Sequence, residues 1–207
     1  MTLLTFLDYT SVLVFALTGA LVASRAQLDI VGFAFFASLT GLGGGTLRDL
    51  LLDRTPIWID NPTYLALTCG AAIVVFFTAH RLESRYAAIV WLDAAALAVA
   101  VAAGAGIAFS LGQPVPIVLV MGITTGSAGG LMRDVVANEV PLVLKQGELY
   151  VTCALAGSAA LVLAQAIGLG SDIGTLAAAT ATFALRGGSI AFGWKLPVYK
   201  PRPPRNF

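Results

Sequence analysis

Residues 40–49 read TGLGGGTLRD, and residues 125–134 read TGSAGGLMRD. Each stretch lies at the end of a long apolar run and places glycines, an arginine and an aspartate among apolar residues. A shift of 85 residues aligns Phe6–Ile57 with Trp91–Leu142 without a gap. The identical pairs that chance matching of apolar residues does not explain include Asp8/Asp93, Gly44/Gly129, Gly45/Gly130, Arg48/Arg133, Asp49/Asp134 and Pro56/Pro141. The chain is therefore predicted to contain an internal duplication.

The composition of the chain indicates an integral membrane protein. Of its 207 residues, 58% are hydrophobic and only 11% are charged, whereas soluble domains carry about 25% charged residues. The mean hydropathy is +0.88. The few basic residues argue against nucleic acid as a partner. The chain has one histidine, no nucleophile–base pair and no metal-ligand spacing, so we expect no catalytic residues, no bound metal and no cofactor.

Seven apolar runs in the sequence approach or exceed the roughly 20 residues that a helix needs to cross a bilayer. These runs cover residues 5–24, 28–51, 62–79, 88–110, 114–137, 148–169 and 172–192. They are continuous, not alternating, which favours helices over a membrane barrel. We therefore predict an all-α integral membrane protein in which seven transmembrane helices form one membrane domain, residues 1–207.

The duplicated unit contains three of these spans. The first repeat covers residues 5–80 and the second covers residues 88–170, followed by an unpaired seventh helix at 172–192 and a basic tail at 195–207. Because three crossings reverse the direction of the next copy, the repeats should be related by a pseudo-two-fold axis in the membrane plane. Such inverted repeats place a transport pathway near the midplane, between the two halves.

The distribution of basic residues predicts the orientation in a cell membrane. One side of the predicted topology holds Arg25, Arg81, Arg85, Lys145, Lys195, Lys200, Arg202 and Arg205. By the positive-inside rule this side is cytoplasmic, which puts the N-terminus outside and the C-terminus inside. The basic, proline-containing tail is expected to lie near anionic lipid headgroups.

The glycines of the two motifs permit two interpretations. Gly41 and Gly45, like Gly126 and Gly130, are four residues apart, a spacing that lets another helix approach closely. The consecutive glycines Gly43–Gly45 also cost about 1 kcal/mol each in a helix and favour a kink or break. A break would free backbone carbonyls that, with nearby hydroxyls, suit a hard monovalent cation. The candidate ion-pathway residues are Ser38, Thr40, Gly41, Gly43, Gly44, Gly45, Arg48, Asp49, Thr124, Thr125, Gly126, Ser127, Gly129, Gly130, Arg133 and Asp134.

The charged residues inside the spans need partners or water. The Arg-Asp pairs of the two motifs are expected toward opposite membrane faces, where they form either a structural clamp or a charged gate. Asp8 and Asp93 are expected to cap helix N-termini or to pair with the motif arginines. Arg186, in the seventh span, is expected to reach the cytoplasmic surface with its long side chain or to contact another half.

The paired G-G-x-x-R-D motifs, the three-plus-three inverted repeat and the seventh helix resemble the prokaryotic branch of the trimeric intracellular cation (TRIC) channel family. The resemblance implies a homotrimer with one pore per protomer, lined by kinked second and fifth helices and conducting potassium and also sodium. The motif residues carried over are Gly43, Gly44, Gly45, Arg48 and Asp49 in the first copy and Gly129, Gly130, Arg133 and Asp134 in the second. Ala128 replaces the glycine equivalent to Gly43, so the fifth helix is expected to bend less.

The bacterial members, also grouped as UPF0126, resemble proteins labelled glycine transporters. Two functional hypotheses therefore stand beside each other: a monovalent cation channel with moderate selectivity, and a small-solute carrier for glycine with its site at the repeat interface. A non-conducting structural membrane protein is the third alternative. Enzymatic activity is not expected.

Overall fold

The computed structural model describes residues 2–81 and 84–199, and these residues form helices joined by turns and short irregular segments. Within these residues there are eight α-helices: α1 Leu3–Arg25, α2 Ile30–Leu51, α3 Ile57–Asp60, α4 Thr63–Thr78, α5 Arg85–Ser110, α6 Val115–Val136, α7 Tyr150–Ala166 and α8 Ser171–Phe192. The predicted all-α membrane fold is confirmed. Lys200, Arg202 and Arg205 of the predicted basic tail lie outside the described residues.

Seven of the helices in the described ranges correspond to the seven apolar runs, and the eighth is the short α3, which the apolar pattern did not predict. In the part of the chain that the structure describes, five helices are long and apolar enough to cross a membrane, namely α1, α2, α4 with its continuation to Arg81, α5 and α6. Helix α7 is also apolar but has 17 residues. Large apolar side chains such as Val31, Phe77 and Leu163 are mostly exposed, as expected where lipid is the solvent.

Polar residues at the ends of the apolar runs set the helix boundaries. The side chain of Thr2 accepts a hydrogen bond from the backbone of Thr5, Asp29 accepts one from Gly32, and Ser84 accepts one from Ala87. Each bond satisfies a backbone N–H that lacks a partner at a helix start. At the other end of the chain, Gly193 adopts a left-handed conformation with φ of 69° and ends α8.

Helices α1, α2 and α4 of the first repeat are arranged like α5, α6 and α7 of the second, and equivalent residues make equivalent contacts. A Cβ atom added to Gly19 of α1 would lie 2.2 Å from the carbonyl oxygen of Phe36 in α2. A Cβ atom added to Gly104 of α5 would lie 2.8 Å from the carbonyl oxygen of Met121 in α6. Because the two glycines, and the two carbonyl groups, are 85 residues apart, both repeats pack their first two helices in the same way.

Helices α2 and α6 are uninterrupted through their glycines. The glycines therefore do not break either helix. The expectation that a helix break would free backbone carbonyl groups for ion binding is wrong. In lipid, each unpaired backbone group costs several kcal/mol, more than the roughly 1 kcal/mol that a helical glycine costs relative to alanine. The glycines serve instead to bring helix backbones into contact, which is the packing interpretation of their spacing.

Candidate functional site

Helices α2 and α6 cross in an antiparallel arrangement at two equivalent glycines. A Cβ atom on Gly44 would lie 2.3 Å from the carbonyl oxygen of Thr125, and one on Gly129 would lie 2.3 Å from that of Thr40. Real Cβ atoms do not approach this closely, so only glycine fits at either position. The hydroxyl groups of Thr40 and Thr125 are buried here and donate to backbone carbonyls one turn earlier at 2.7 Å.

Six further predicted pathway residues, which lie outside the charge clusters described below, form three pairs. Gly41 and Gly126 pack each motif helix against the first helix of its own repeat, with Val12 and Leu97 among their neighbours. Thr124 and Ser127 are partly buried on α6. The third pair, Ser38 and Gly43, lines a mostly apolar groove of about 370 Å³ on the other side of α2, together with Thr46, Trp58 and Met132.

A buried charge cluster lies near the C-terminal end of α2. The Arg48 guanidinium donates from Nη1 to Asp8 of α1 and from Nε to Asp49, both at 2.9 Å. The second carboxylate oxygen of Asp49 accepts a hydrogen bond from the backbone of Ile57 at 3.2 Å. Arg48 is 0% exposed, whereas Arg54, 4.0 Å from Asp49, is 42% exposed. We call this group the Arg48 cluster.

An equivalent cluster lies near the C-terminal end of α6, on the opposite side of the helix crossing. Arg133 donates to Asp93 of α5 at 2.9 Å and to Asp134 at 2.7 Å, and Asp134 accepts from the backbone of Leu142 at 2.8 Å. Like Arg48, Arg133 is 0% exposed. We call this group the Arg133 cluster. Asp8 and Asp93 thus lie within helices and pair with the motif arginines; neither caps a helix.

Two hydroxyl groups belong to the Arg133 cluster alone. Arg133 Nη1 also donates to Thr18 Oγ1 of α1 at 2.8 Å, and the Tyr150 hydroxyl of α7 donates to Asp93 Oδ2 at 2.7 Å. The sequence analysis did not single out either residue. The signal that could have found Thr18 is a difference between the repeats, since the 85-residue shift pairs it with Ala103. Tyr150 lies beyond the ungapped alignment, and both repeats place a buried tyrosine, Tyr64 or Tyr150, at the start of the third helix.

The buried side chains of each cluster are two carboxylates and one guanidinium, with a formal charge of −1; at the Arg48 end the partly exposed Arg54 adds a second guanidinium 4.0 Å from Asp49. Excess charge in a low-dielectric surrounding is costly unless a counter-ion, a proton or water compensates it. In both arginines the Nη2 atom is buried without a hydrogen-bond partner among the described residues. These atoms lie beside Gly45 and Gly130, whose added Cβ atoms would be 3.7 Å away. Both clusters can therefore accept a cation at their carboxylates and still donate one N–H group to a small ligand.

The two clusters differ in their access to the surface. A cavity of about 240 Å³ includes Asp8 and Arg48 in its lining. It adjoins a narrow space of about 10 Å³ beside Gly44, Gly45 and Thr125, since Asp8 borders both. That volume holds about one water molecule. At the other end a cavity of about 220 Å³ is lined by residues that include Val90, Glu148 and Trp194, but not by Asp93 or Arg133.

Arg186 does not reach the surface, so the expectation that its side chain extends to the cytoplasmic face is wrong. It is 1% exposed, pairs with Glu148 and lies 5.1 Å from the centre of the Tyr150 ring. Glu148, which the sequence analysis did not select, satisfies the buried charge. Among the described residues there is no group of three or more His, Cys, Asp or Glu side chains that could hold a metal ion.

Comparison with known proteins gives consistent matches over most of the chain. A family model described as Glycine transporter matches residues 5–80 and 90–166, one segment in each predicted repeat. The UPF0126 membrane protein of Vibrio cholerae is 35% identical over 201 residues, which cover 95% of this chain and 83% of that protein. The UPF0126 inner membrane protein YadS of Escherichia coli K12 is 32% identical over 199 residues, covering 94% and 95%.

Solved structures of channels have the same fold. The TRIC trimeric intracellular cation channel orthologue from Rhodobacter sphaeroides superposes with a TM-score of 0.90 at 40% identity, covering 93% of this chain and all of that one. A second structure, described as the basis for conductance through TRIC cation channels, superposes with a TM-score of 0.86 at 27% identity, covering 98% of this chain and 100% of that one.

Proposed function

The chain belongs to the UPF0126 membrane-protein family, whose model is described as Glycine transporter, and from this premise we propose that it is a monovalent cation channel. Its similarity to the TRIC cation channel structures supports this function. The channel conducts K⁺ and also Na⁺ with moderate selectivity. Each protomer has its own pore between α2 and α6. The proposal includes no enzymatic activity and no cofactor.

The observation that carries this proposal is the pair of buried clusters on either side of the α2–α6 crossing. Each buried guanidinium faces two buried carboxylates, and the further arginine near Asp49, Arg54, is 42% exposed and screened by water. In a low-dielectric surrounding the excess negative charge attracts cations and repels anions. Rings or groups of acidic side chains are a common basis of cation selectivity. Discrimination between K⁺ and Na⁺ stays moderate because the motif helices present no ladder of free carbonyls.

The pathway runs from the 240 Å³ cavity past Asp8 and Arg48, through the narrow space beside Gly44 and Thr125, and on to the Arg133 cluster. A space that holds about one water molecule is too small for a hydrated ion. Conduction therefore requires α2 and α6 to separate slightly at their crossing. Two of the predicted pathway residues, Ser38 and Gly43, lie outside this pathway, on the groove side of α2.

We also propose an assembly and a membrane topology for this channel. Residues 1–207 form one membrane domain, three copies form a homotrimer, and the protein resides in the cell membrane. The Arg133 end is cytoplasmic, because the described basic residues Arg25, Arg85, Lys145 and Lys195 lie at that end of the helices. The N-terminus is then outside, and the basic tail lies near anionic headgroups on the inside.

Reconstitution of the purified protein into planar bilayers tests the channel function. In a KCl gradient we expect single-channel currents whose reversal potential lies near that of K⁺. The same steps in NaCl should be of similar size. The absence of current steps from verified protein, or a reversal potential near that of Cl⁻, would contradict the proposal.

Neutralising Asp8 provides a sharper test of the charge argument. We expect Asp8→Asn to lower K⁺ conductance at least about fivefold, because a unit charge at 4 Å contributes about 1 kcal/mol even at the dielectric constant of water. Asparagine keeps the size and the hydrogen bond to Arg48. The matched control is Asp53→Asn, which removes an exposed carboxylate at the same end. Equal conductance in Asp8→Asn and wild type would argue against a pathway through this cluster.

Glycine transport is the second candidate, favoured by the family description and by one structural observation. The unpartnered Nη2 atoms of Arg48 and Arg133 could each donate to a carboxylate, while the neighbouring aspartates could bind an ammonium group. Uptake of radiolabelled glycine into liposomes distinguishes the two functions. Saturable uptake without single-channel currents would favour the carrier, and currents without uptake would favour the channel.

A further inference from the structure

The two repeats differ in charge at two equivalent positions near the helix ends. The 85-residue shift pairs Arg54 with Glu139, and it pairs Ser110 with Arg25. The backbone at the first pair of positions is the same, because Arg54 and Glu139 each donate their N–H to the carbonyl of the motif aspartate five residues earlier, at 2.8 and 2.9 Å. One local structure therefore presents a positive charge at the Arg48 end and a negative charge at the Arg133 end.

At the Arg133 end the negative charge has a partner. Arg25 and Glu139 form an ion pair with 3.1 Å between the charged atoms, and their side chains are 34% and 37% exposed. Each of the two charges compensates the other at hydrogen-bonding distance. The pair therefore adds no net charge beside the Arg133 cluster, which keeps its formal charge of −1.

At the Arg48 end the positive charge of Arg54 has no equivalent partner. Its Nη1 atom lies 4.0 Å from Asp49 Oδ1, an oxygen that already accepts from Arg48 at 2.9 Å. Among the described residues, the side chain of Arg54 makes no hydrogen bond. Ser110, which replaces the arginine of the other repeat, donates to a backbone carbonyl and brings no charge. The two guanidiniums and two carboxylates at this end have a formal charge of zero.

Arg54 also lies on the wall of the proposed pathway. It borders the 240 Å³ cavity, as do Asp8 and Ser110. Outside the Arg48 cluster, three other charged residues are described at this end, and none of them borders the cavity. They are Asp53, Asp60 and Asp172. A cation that enters the cavity therefore approaches one positive charge at the wall, partly screened by water.

We infer that Arg54 is an electrostatic barrier to cation entry at the Arg48 end, so that the channel passes cations less readily in that direction than from the Arg133 end. A unit charge about 8 Å away, acting through water, changes the local concentration of a monovalent ion about two- to threefold. The unequal conduction rests on the proposed function, whereas the effect of Arg54 on the electrostatic potential of the cavity does not.

Current–voltage curves of reconstituted protein in about 10 mM KCl, where the Debye length is about 30 Å, test the barrier. We expect Arg54→Gln to raise the cation current entering at the Arg48 end about two- to threefold and to leave the opposite current nearly unchanged. In about 1 M KCl the substitution should have little effect, because the Debye length falls to about 3 Å. Arg54→Lys keeps the charge and should keep the wild-type currents. Asp172→Asn removes an exposed charge at the same end and is the matched control.

The second repeat allows the reverse experiment. Arg25→Ser combined with Glu139→Arg copies the residues Ser110 and Arg54 into the Arg133 end. The double variant should lower the cation current that enters at that end by about the same two- to threefold factor. A change of equal size in both current directions, in this variant or in Arg54→Gln, would contradict a barrier at one end.

A second measurement reads the potential of the cavity without current. Ser110→Cys is placed in a background with Cys69→Ser and Cys153→Ala, in nanodiscs of phosphatidylcholine. Its reaction rates with a cationic trimethylammonium and an anionic sulfonate methanethiosulfonate are each divided by the rate with a small free thiol. In about 10 mM salt, Arg54→Gln should lower the anionic-to-cationic ratio about four- to ninefold, since the two rates change in opposite directions. In planar bilayers the chamber from which these reagents reach Ser110→Cys identifies the Arg48 end.

The two measurements separate failure of the inference from failure of the channel. Currents that do not respond to Arg54→Gln in dilute salt would overturn the barrier and leave the channel intact, whatever the thiol ratio. A lowered thiol ratio in a protein that passes no current would refute the channel and leave the positive potential assigned to Arg54 intact. An unchanged thiol ratio in such a protein would overturn both.

Discussion

Replacing Arg133 by methionine is expected to lower the free energy of unfolding by about 3–5 kcal/mol, the cost of leaving buried charges without their partner. Arg133 is fully buried and contacts Asp93, Asp134 and Thr18. Its removal leaves two carboxylates close together in a low-dielectric surrounding, with a formal charge of −2. Unfolding of the purified protein in detergent, followed by tryptophan fluorescence or circular dichroism, measures the change.

Two control variants distinguish the loss of stability caused by breaking the Arg133 cluster from the loss caused by removing any arginine. Arg54→Gln removes an arginine that is 42% exposed and 4.0 Å from its partner, and it should cost at most about 1 kcal/mol. Combining Arg133→Met with Asp93→Asn restores a formal charge of −1 and should destabilise less than Arg133→Met alone, because residues in one network are not additive. A double variant as unstable as the sum of the single changes would contradict the cluster as a unit.

Replacing Gly44 or Gly129 by alanine is expected to destabilise the protein by about 1–3 kcal/mol or more, although alanine is the better helix former. The added methyl group would lie 2.3 Å from a backbone carbonyl oxygen of the facing helix, so α2 and α6 must move apart. The same unfolding measurement applies. Leucine at both positions would fill the crossing and should abolish flux.

The control for this prediction lies one residue along the same helix. A Cβ atom on Gly45 would meet its nearest neighbour at 3.7 Å, an ordinary contact. Gly45→Ala should therefore be neutral or stabilise the protein by up to about 1 kcal/mol. Gly44→Ala is therefore expected to lower the free energy of unfolding, and Gly45→Ala to leave it unchanged or raise it. Similar losses at Gly44 and Gly45 would mean that helix flexibility, not the close crossing, requires the glycines.

Much of the architecture was predictable because the sequence contains an internal duplication, in which equivalent residues can be compared. The shift that pairs Arg48 with Arg133 also pairs Asp8 with Asp93, and buried arginines in lipid need carboxylates, so the ion pairs were among the expected alternatives. The apolar runs gave the positions of the long helices because each run ends at polar residues or prolines.

The features that sequence did not reveal depend on how separate helices meet. Thr18 and Tyr150 join the Arg133 cluster from α1 and α7, and no local pattern marks a threonine or tyrosine that faces a charge on another helix. Glu148 was missed for the same reason. The glycine run was expected to break α2, because its low helix propensity is visible in the sequence, whereas the facing backbone that offsets this cost is not.

The crossing of α2 and α6 is self-complementary, since Gly44 meets the Thr125 carbonyl just as Gly129 meets that of Thr40. A single three-helix peptide inserted in both orientations could form the same contact with its own inverted copy, as in a two-fold dimer. In such a dual-topology pair, the two membrane faces of the assembly must have identical residues. Once the copies are joined in one polypeptide, a substitution in either half changes one end only. The joined chain can therefore have Thr18 in one half and Ala103 at the equivalent position of the other half, which no symmetric ancestor could.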